Sequence, residues 1–306
     1  QAKALSEEGK HKESLALLKS APKNQATYSL MISNLASIDL DDAEEVADEA
    51  VKTFPESAEL HYMRGVIMGN QAQESSIFSA LGYAENSLNS FVRATELAPN
   101  TIKYRRALMS FYLAAPSIAG GDEELALAQL NAIKKIDAFE GAAAQVAFYQ
   151  MSEEPKEAIS TLEQAIIDFP NETNFVFSLA ALYAQAEDYE KALPLFQKAA
   201  EMPVPDHSVD PLTGEAAREY VRNMSAKLNS IYQIGRTAVV TGKNTEIGIA
   251  AMGKLQAAVE TSRLNQGNLP NMEWAKARLA ELYLQAGDKK AAADLLAKIT
   301  VEDNKD

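Results

Sequence analysis

Side chains that enzymes use for nucleophilic, acid–base or metal chemistry are scarce or badly spaced in this sequence. The chain has no cysteine, so thiolate nucleophiles, thiolate metal sites and disulfides are excluded. Its three histidines, His11, His61 and His207, lie far apart, and none has a zinc-binding spacing such as HExxH. His61 falls where a large packing residue is expected. His207, between Asp206 and Asp210, offers only a weak metal neighbourhood.

Carboxylates and glycines are also explained without catalysis. The acidic runs at 41–45 and 153–154 stand where helices are expected to begin, and the helix dipole favours negative charge there. Gly120 and Gly121 lack the strand–turn–helix setting of a phosphate or dinucleotide loop, and the sequence has no GxSxG or EF-hand motif. We therefore predict that the chain is not an enzyme and has no cofactor or metal site.

Composition and charge exclude several other classes of protein. The chain has 306 residues, of which 47% are apolar and 24% charged, so it forms an ordered core. The net charge of −14 argues against binding to nucleic acid or to anionic lipid. No run approaches the ~18 apolar residues of a membrane span. Valine and isoleucine never alternate with polar residues over a strand length, which predicts an all-α fold.

The stretch from Thr173 to Met202 contains the clearest structural pattern. Apolar residues recur at three- and four-residue spacing on either side of a polar turn at 186–188, which predicts two amphipathic helices packed back to back. Small and large residues alternate at fixed offsets, so the helix axes can approach closely. The residues concerned are Leu179, Ala180, Tyr183, Ala192, Phe196 and Ala199.

This pattern resembles the tetratricopeptide (TPR) repeat, whose unit of about 34 residues has these residue types at these spacings. Good copies stand at 139–170, 171–202 and 273–299, and weaker ones at 1–22 and 214–265. Phe54–Pro55, Ala98–Pro99 and Phe169–Pro170 end helices in register. The resemblance implies a right-handed α–α superhelix, a TPR-like solenoid of about seven to eight helical hairpins.

The same resemblance divides the chain into segments. They are a repeat array at 1–202 (a half repeat at 1–22, then repeats at 24–57, 58–100, 101–138, 139–170 and 171–202), a proline-rich linker at 203–213, an elongated degenerate helix pair at 214–270, and a last repeat with a charged tail at 271–306.

Three local departures from the repeat carry predictions of their own. About ten residues beyond the repeat length stand between Met68 and Ser87, and their composition predicts longer helices rather than a loop. An irregular loop is expected at 114–122, with Asp122 as the N-cap of the next helix. Asp41 or Asp42 is expected to cap the helix that follows it.

In TPR repeats the concave face is lined by set positions of each first helix. The resemblance places large aromatic and arginine residues there, and such residues dominate interface energetics. The predicted partner-binding residues are Tyr28, Tyr62, Arg105, Arg106, Tyr112, Phe177, Tyr232, Arg236, Trp274 and Arg278. In an acidic chain, arginines on this face would favour an acidic peptide or a carboxylate. A lysine and asparagine clamp for a C-terminal carboxylate, which some TPR domains have, is absent.

These observations predict a non-enzymatic scaffold that binds a peptide or protein segment in its concave groove. Two alternatives stay open: a self-associating structural component of an envelope complex, and a binder of a small apolar ligand near the long helices of 214–265. The oligomeric state is not predicted. Because the sequence begins at Gln1 and lacks cysteine, we expect a periplasmic or secreted protein of bacterial origin, with a cytoplasmic one as the alternative.

Overall fold

The structure is a computed structural model that describes residues 1–205, 214–264, 267 and 269–299, with the side chains of 214 and 215 left out. Residues 206–213, most of the predicted linker, lie outside the described residues, and His207 is among them. The chain divides into two compact units, Gln1–Glu154 and Pro155–Asp306. Every element of the described residues is helical, with no strand, which confirms the all-α prediction.

Unit 1 is a stack of antiparallel helix hairpins, each of which packs on the next. In each hairpin the odd-numbered helix is the first helix and the even-numbered one the second. The helices are α1 (Ala2–Glu7), α2 (His11–Leu18), α3 (Gln25–Leu35), α4 (Leu40–Thr53), α5 (Ala58–Glu74), α6 (Ile77–Leu97), α7 (Ile102–Ala114), α8 (Glu123–Ile136) and α9 (Ala138–Met151).

Unit 2 has the same design and contains the long helices expected after residue 214. Its helices are α10 (Pro155–Asp168), α11 (Thr173–Gln185), α12 (Tyr189–Glu201), α13 (Gly214–Thr241), α14 (Thr245–Thr261), α15 (Met272–Gln285) and α16 (Lys289–Leu296). The first helices α11, α13 and α15 are neighbours in the stack, because α13 contacts both α11 and α15. The division between the units falls within the repeat predicted at 139–170.

Alanines at fixed positions allow the helices of each hairpin to approach closely. Ala43, Ala47 and Ala50 on α4 are fully buried against Tyr28, Ile32 and Leu60. Ala192 and Ala199 on α12 are likewise fully buried, and Phe196 between them fills the space beside α11. A larger side chain at any of these alanines would force the axes apart. The alternation of small and large residues read from the sequence is therefore the packing of the core.

Helix ends follow the expected residues with one exception. The helices before Phe54–Pro55, Ala98–Pro99 and Phe169–Pro170 end at the residue preceding each pair, as predicted. The cap of α4 differs from the prediction: Asp39, not Asp41 or Asp42, accepts the backbone N–H groups of the first turn. Asp41 and Asp42 fall inside that turn, where their charge favours the helix N-terminus.

The extra residues between Met68 and Ser87 lengthen two helices, as predicted. Helix α5 has 17 residues and α6 has 21, whereas the following α7 has only 13. The irregular loop after α7 contains a 3-10 turn at Ser117–Ala119. A Cβ atom on Gly121 would come within 1.7 Å of the Ala115 carbonyl oxygen, so the chain can turn this tightly only with glycine there. Asp122 then caps α8 by accepting the N–H of Leu125 at 3.0 Å.

Candidate functional site

The predicted partner-binding residues of unit 1 are either buried in the core or in contact with other side chains of the same unit. Tyr28 is only 1% exposed, and its hydroxyl donates to Glu49 at 2.8 Å. Tyr112 is also buried, in the cluster formed by Phe91, Leu108 and their neighbours. Burial leaves neither tyrosine a surface for a partner, so their predicted place on a binding face is corrected: both are core residues.

The two adjacent arginines of α7 are bonded within unit 1. Arg105 donates to the Pro99 carbonyl oxygen at 2.5 Å and to Gln129 of α8 at 2.9 Å, so it points toward the second helix of its own hairpin. Arg106 reaches the next first helix, where it donates to the Glu140 carboxylate at 2.9 Å and carbonyl oxygen at 3.1 Å. Neighbouring helical residues point about 100° apart, which separates the two side chains. They do not form the joint positive patch that the sequence suggested.

Tyr62 of α5 is half-buried within an aromatic cluster. Its ring centroid lies 5.4 Å from that of Tyr104 and 6.1 Å from that of Phe91. The Lys103 ammonium stands 4.1 Å above the Tyr62 ring, a cation–π distance. The contacts of Tyr62 thus hold α5 and α7 together, and they account for this residue without a partner.

The predicted residues of unit 2 lie on its three neighbouring first helices. We define the unit 2 face by Phe177 on α11, Tyr232 and Arg236 on α13, and Trp274 and Arg278 on α15. Trp274 is 57% exposed, and the other four side chains are half-buried.

An arginine is held against the exposed tryptophan. The guanidinium carbon of Arg278 lies 5.7 Å from the centre of the Trp274 ring, and the same group donates twice to Glu281, at 2.8 and 3.1 Å. Hydrogen bonding to Glu281, first of all, raises the pKa of Arg278, and Tyr232 of α13 contributes in the same direction.

Polar contacts also fix α13 against the start of α11. Arg222 donates to both carboxylate oxygens of Glu172 at 3.0 Å, and Asn223 accepts the backbone N–H of Asn174 at 3.2 Å. The Arg222–Glu172 pair is mostly buried, and its two-pronged geometry restrains the helices more than a single exposed ion pair would. The first helices that carry the unit 2 face thus have defined neighbours.

Three groups on or beside the unit 2 face have no partner within the described residues. Arg236, one helical turn after Tyr232, has no hydrogen bond or ion pair there. The Gln233 Oε1 and Arg278 Nε atoms are buried without a hydrogen-bond partner in the same part of the chain. Unbonded buried atoms of this kind are costly, and of the three groups Arg236, which is only half-buried, is the one a ligand could bond. Sequence reasoning did not single out Gln233, which reads as an ordinary helix former.

Two of the three histidines have structural partners. The ring of His11 lies 2.9 Å from Asn34, and that of His61 lies 2.9 Å from the Pro55 carbonyl oxygen. The described residues contain no group of three acidic, histidine or cysteine side chains able to hold a metal ion. No helix in this part of the chain combines the length and apolar character needed to cross a bilayer.

The comparisons with known proteins agree with this architecture. Residues 142–203, which include the stretch with the clearest hairpin pattern, match the family model described as tetratricopeptide repeat. This segment of the chain therefore contains tetratricopeptide repeats. Proteins built from these repeats serve as protein-interaction scaffolds and are generally not catalytic, and this chain has that architecture. No curated protein matches this chain.

Three solved structures illustrate what this chain is similar to. A thermophilic TPR protein from Thermus thermophilus is 15% identical, with 60% of this chain and 95% of that one covered and a TM-score of 0.48. A tetratricopeptide repeat protein from Parabacteroides merdae is 12% identical, with coverage of 92% and 95% and a TM-score of 0.48. MamA of Desulfovibrio magneticus is 18% identical, with coverage of 60% and 97% and a TM-score of 0.40.

Proposed function

We propose that this TPR chain is a non-enzymatic scaffold that binds a peptide or protein segment on the unit 2 face, on the groove side of its first helices. The observation that carries the proposal is the exposure of Trp274, whose ring has the Arg278 guanidinium within cation–π distance. A tryptophan exposes a large apolar area, and burying it in an interface is strongly favourable. Tryptophan and arginine are the residue types most enriched at interface hot spots.

The polar groups of the unit 2 face favour a segment that carries a carboxylate. Arg236 has no ion pair within the described residues, whereas the charge of Arg278 is balanced by Glu281. A partner carboxylate at Arg236 would form a charge-assisted bond, with an apolar or aromatic neighbour packed on Trp274. The hypothesis of an acidic partner segment therefore depends on Arg236, and no longer on Arg105 and Arg106. The periplasmic or secreted location stays a prediction.

Selection from a random peptide library displayed on phage tests this proposal. Peptides that bind the full chain are selected and sequenced, and their affinities are measured by fluorescence anisotropy of labelled copies. We expect binders enriched in Asp or Glu beside aromatic residues. Trp274→Ala should weaken them by at least about 2 kcal/mol, or roughly 30-fold, as at other hot spots.

Matched variants show whether the peptides bind to the unit 2 face or elsewhere on the surface. Arg236→Gln should weaken the acidic peptides by roughly tenfold, the typical value of a charged hydrogen bond. Ile167→Ala is the control, because Ile167 is 71% exposed on α10, a second helix. Selected peptides whose affinity is unchanged by both Trp274→Ala and Arg236→Gln would contradict the proposal. So would a selection that yields no binder to the folded chain.

A further inference from the structure

An apolar groove opens at the tip of the long α5–α6 hairpin in unit 1. Its volume is about 750 Å³, within the range of pockets that hold ligands. Its walls come from α5, α6, α7 and the loop after α7, and they include Gly69, Ala72, Leu81, Ala84, Phe111 and Ile118. The groove lies wholly within unit 1, on helices other than those of the unit 2 face.

The unequal lengths of neighbouring helices create the groove. Helix α7 ends at Ala114, and the chain then turns through Pro116 along the edge of the groove. The last part of α5, from Gly65 to Glu74, spans about 15 Å. Helices α5 and α6 are longer than α7, so beside this part of the hairpin the groove is lined by the loop after α7 and not by a further turn of that helix. Glycine and alanine on these surfaces, at positions 69, 72, 80 and 84, leave room for another helix.

Large apolar side chains stand exposed around the opening. Phe78 is 95% exposed at the start of α6, Ile118 is 81% exposed in the loop, and Ile77 and Leu81 are exposed as well. Ile77, Leu81 and Ile118 belong to the groove wall, and Phe78 adjoins it in sequence. An exposed apolar patch of this kind next to a cavity marks an interaction site.

The chain segments that line the groove carry acidic but no basic residues. Neither 65–92 nor 107–133 contains a lysine or arginine, whereas Glu74 and Glu85 lie on the two long helices. On the adjoining side of the tip, Gln71 donates to Asp41 at 2.8 Å and to Glu44 at 3.2 Å. The negative charge of Glu44 raises the pKa of Tyr83 on α6.

We propose that this groove binds an amphipathic helix of a partner protein, with bulky apolar residues on one face and lysine or arginine beside them. A helix would lie in the groove beside the tip, and basic residues would meet the carboxylates around it. A fatty acid would find no lysine or arginine for its carboxylate on the segments that line the groove. A second copy of this chain would bring one acidic tip against another. The site goes beyond the unit 2 face and does not depend on it.

Three synthetic peptides of roughly 14 residues, about 21 Å as helices, test the proposal with the full chain. The first has Leu and Phe at helical spacing on one face and Lys on the other. The second replaces each Lys with Glu, and the third is a scrambled version of the first. We expect anisotropy to show the first binding about tenfold more tightly than either of the others. Its affinity should fall as salt is added.

Substitutions at the rim locate the binding. Leu81→Ser combined with Ile118→Ser should weaken the first peptide by about tenfold, whereas Ile167→Ser, at an exposed apolar position in unit 2, should not. Glu74→Gln with Glu85→Gln should reduce both affinity and salt dependence. Trp274→Ala should leave binding of the first peptide unchanged. A failure of the groove proposal can therefore be told apart from a failure of the proposal for the unit 2 face.

Several results would overturn the proposal. One is that the chain binds the Glu peptide as tightly as the Lys peptide. Another is that the Leu81→Ser/Ile118→Ser variant and the Ile167→Ser variant weaken binding of the first peptide equally. Binding of dodecanoic acid or its neutral monoglyceride without binding of the first peptide would instead indicate a lipid site. A molecular mass that rises with concentration and is restored to the monomer value by Ile118→Ser would indicate a second copy in the groove.

Discussion

Replacing Gly65 with alanine should destabilise the chain, whereas the same replacement at Gly82 should stabilise it slightly. A Cβ atom on Gly65 would lie 2.6 Å from both Cδ1 and Cε1 of the Phe91 ring, well inside van der Waals contact. The ring cannot move freely, because it is buried and packs edge-on against Phe111 and beside Tyr62. A Cβ atom on Gly82 would meet nothing within 4 Å.

The magnitude follows from comparing the two sites. Each substitution gains about 1 kcal/mol of helix propensity, because both glycines lie within helices. Overpacking a well-filled core costs about 1–3 kcal/mol, and only Gly65 incurs that cost. The two variants should therefore differ by about 1–3 kcal/mol in free energy of unfolding, with Gly65→Ala the less stable.

Urea unfolding followed by circular dichroism at about 222 nm measures this difference as a shift of the midpoint. Gly82→Ala is the matched control, because it makes the same chemical change on the partner helix of the same hairpin. A Gly65→Ala variant as stable as Gly82→Ala would mean that α5 and α6 are not in close contact at Gly65. That result would refute the reasoning about small residues in the hairpins.

Other consequences of the structure can be measured in the same way. Asp122→Ala removes the bond to the Leu125 N–H and should cost about 1 kcal/mol; no change would mean that α8 does not depend on this cap. Phe196→Ala empties a fully buried site and should cost about 3–5 kcal/mol, so a loss below about 1 kcal/mol would contradict the packing of unit 2. Burial, and then the bond to Glu59, raise the pKa of Tyr104 from 10.0 to about 12. Since the folded pKa is raised, the stability from the neutral hydroxyl is complete below pH 10 and is lost toward pH 12. Ultraviolet absorbance of the phenolate should show a titration near pH 12 that is smaller in Tyr104→Phe; an unchanged titration would contradict this.

The sequence predicted the parts of the fold that depend on local pattern. Alanines and prolines at repeat offsets located the hairpins, because close helix approach and helix termination each need a particular residue type. Asp122 was recognisable as a cap because the first turn of a helix also needs a particular residue type before it. The cap of α4 was assigned two or three residues too late, because Asp39, Asp41 and Asp42 are all acceptable caps and only the exact start of the helix distinguishes them.

The candidate site was less predictable, because it depends on distances between elements. Repeat position indicates roughly which way a side chain points, but burial depends on its neighbours, and this is why Tyr28 and Tyr112 are in the core. The direction of Arg105 was equally hidden, since its partner, Gln129, is 24 residues away. The groove at the α5–α6 tip arises from the early end of α7. Its one sequence signal was the apolar pair Ile77–Phe78 in a segment beyond the repeat length.

Emission of Trp274 during titration with a selected acidic peptide tests the central claim most directly. The chain has one tryptophan, so its fluorescence reports on the unit 2 face alone. If the peptide binds there, the emission should shift to the blue and saturate at the Kd found by anisotropy, because the exposed ring leaves water. Arg236→Gln should weaken the binding that produces this shift. A peptide that binds by anisotropy and leaves the emission unchanged would contradict binding at this face.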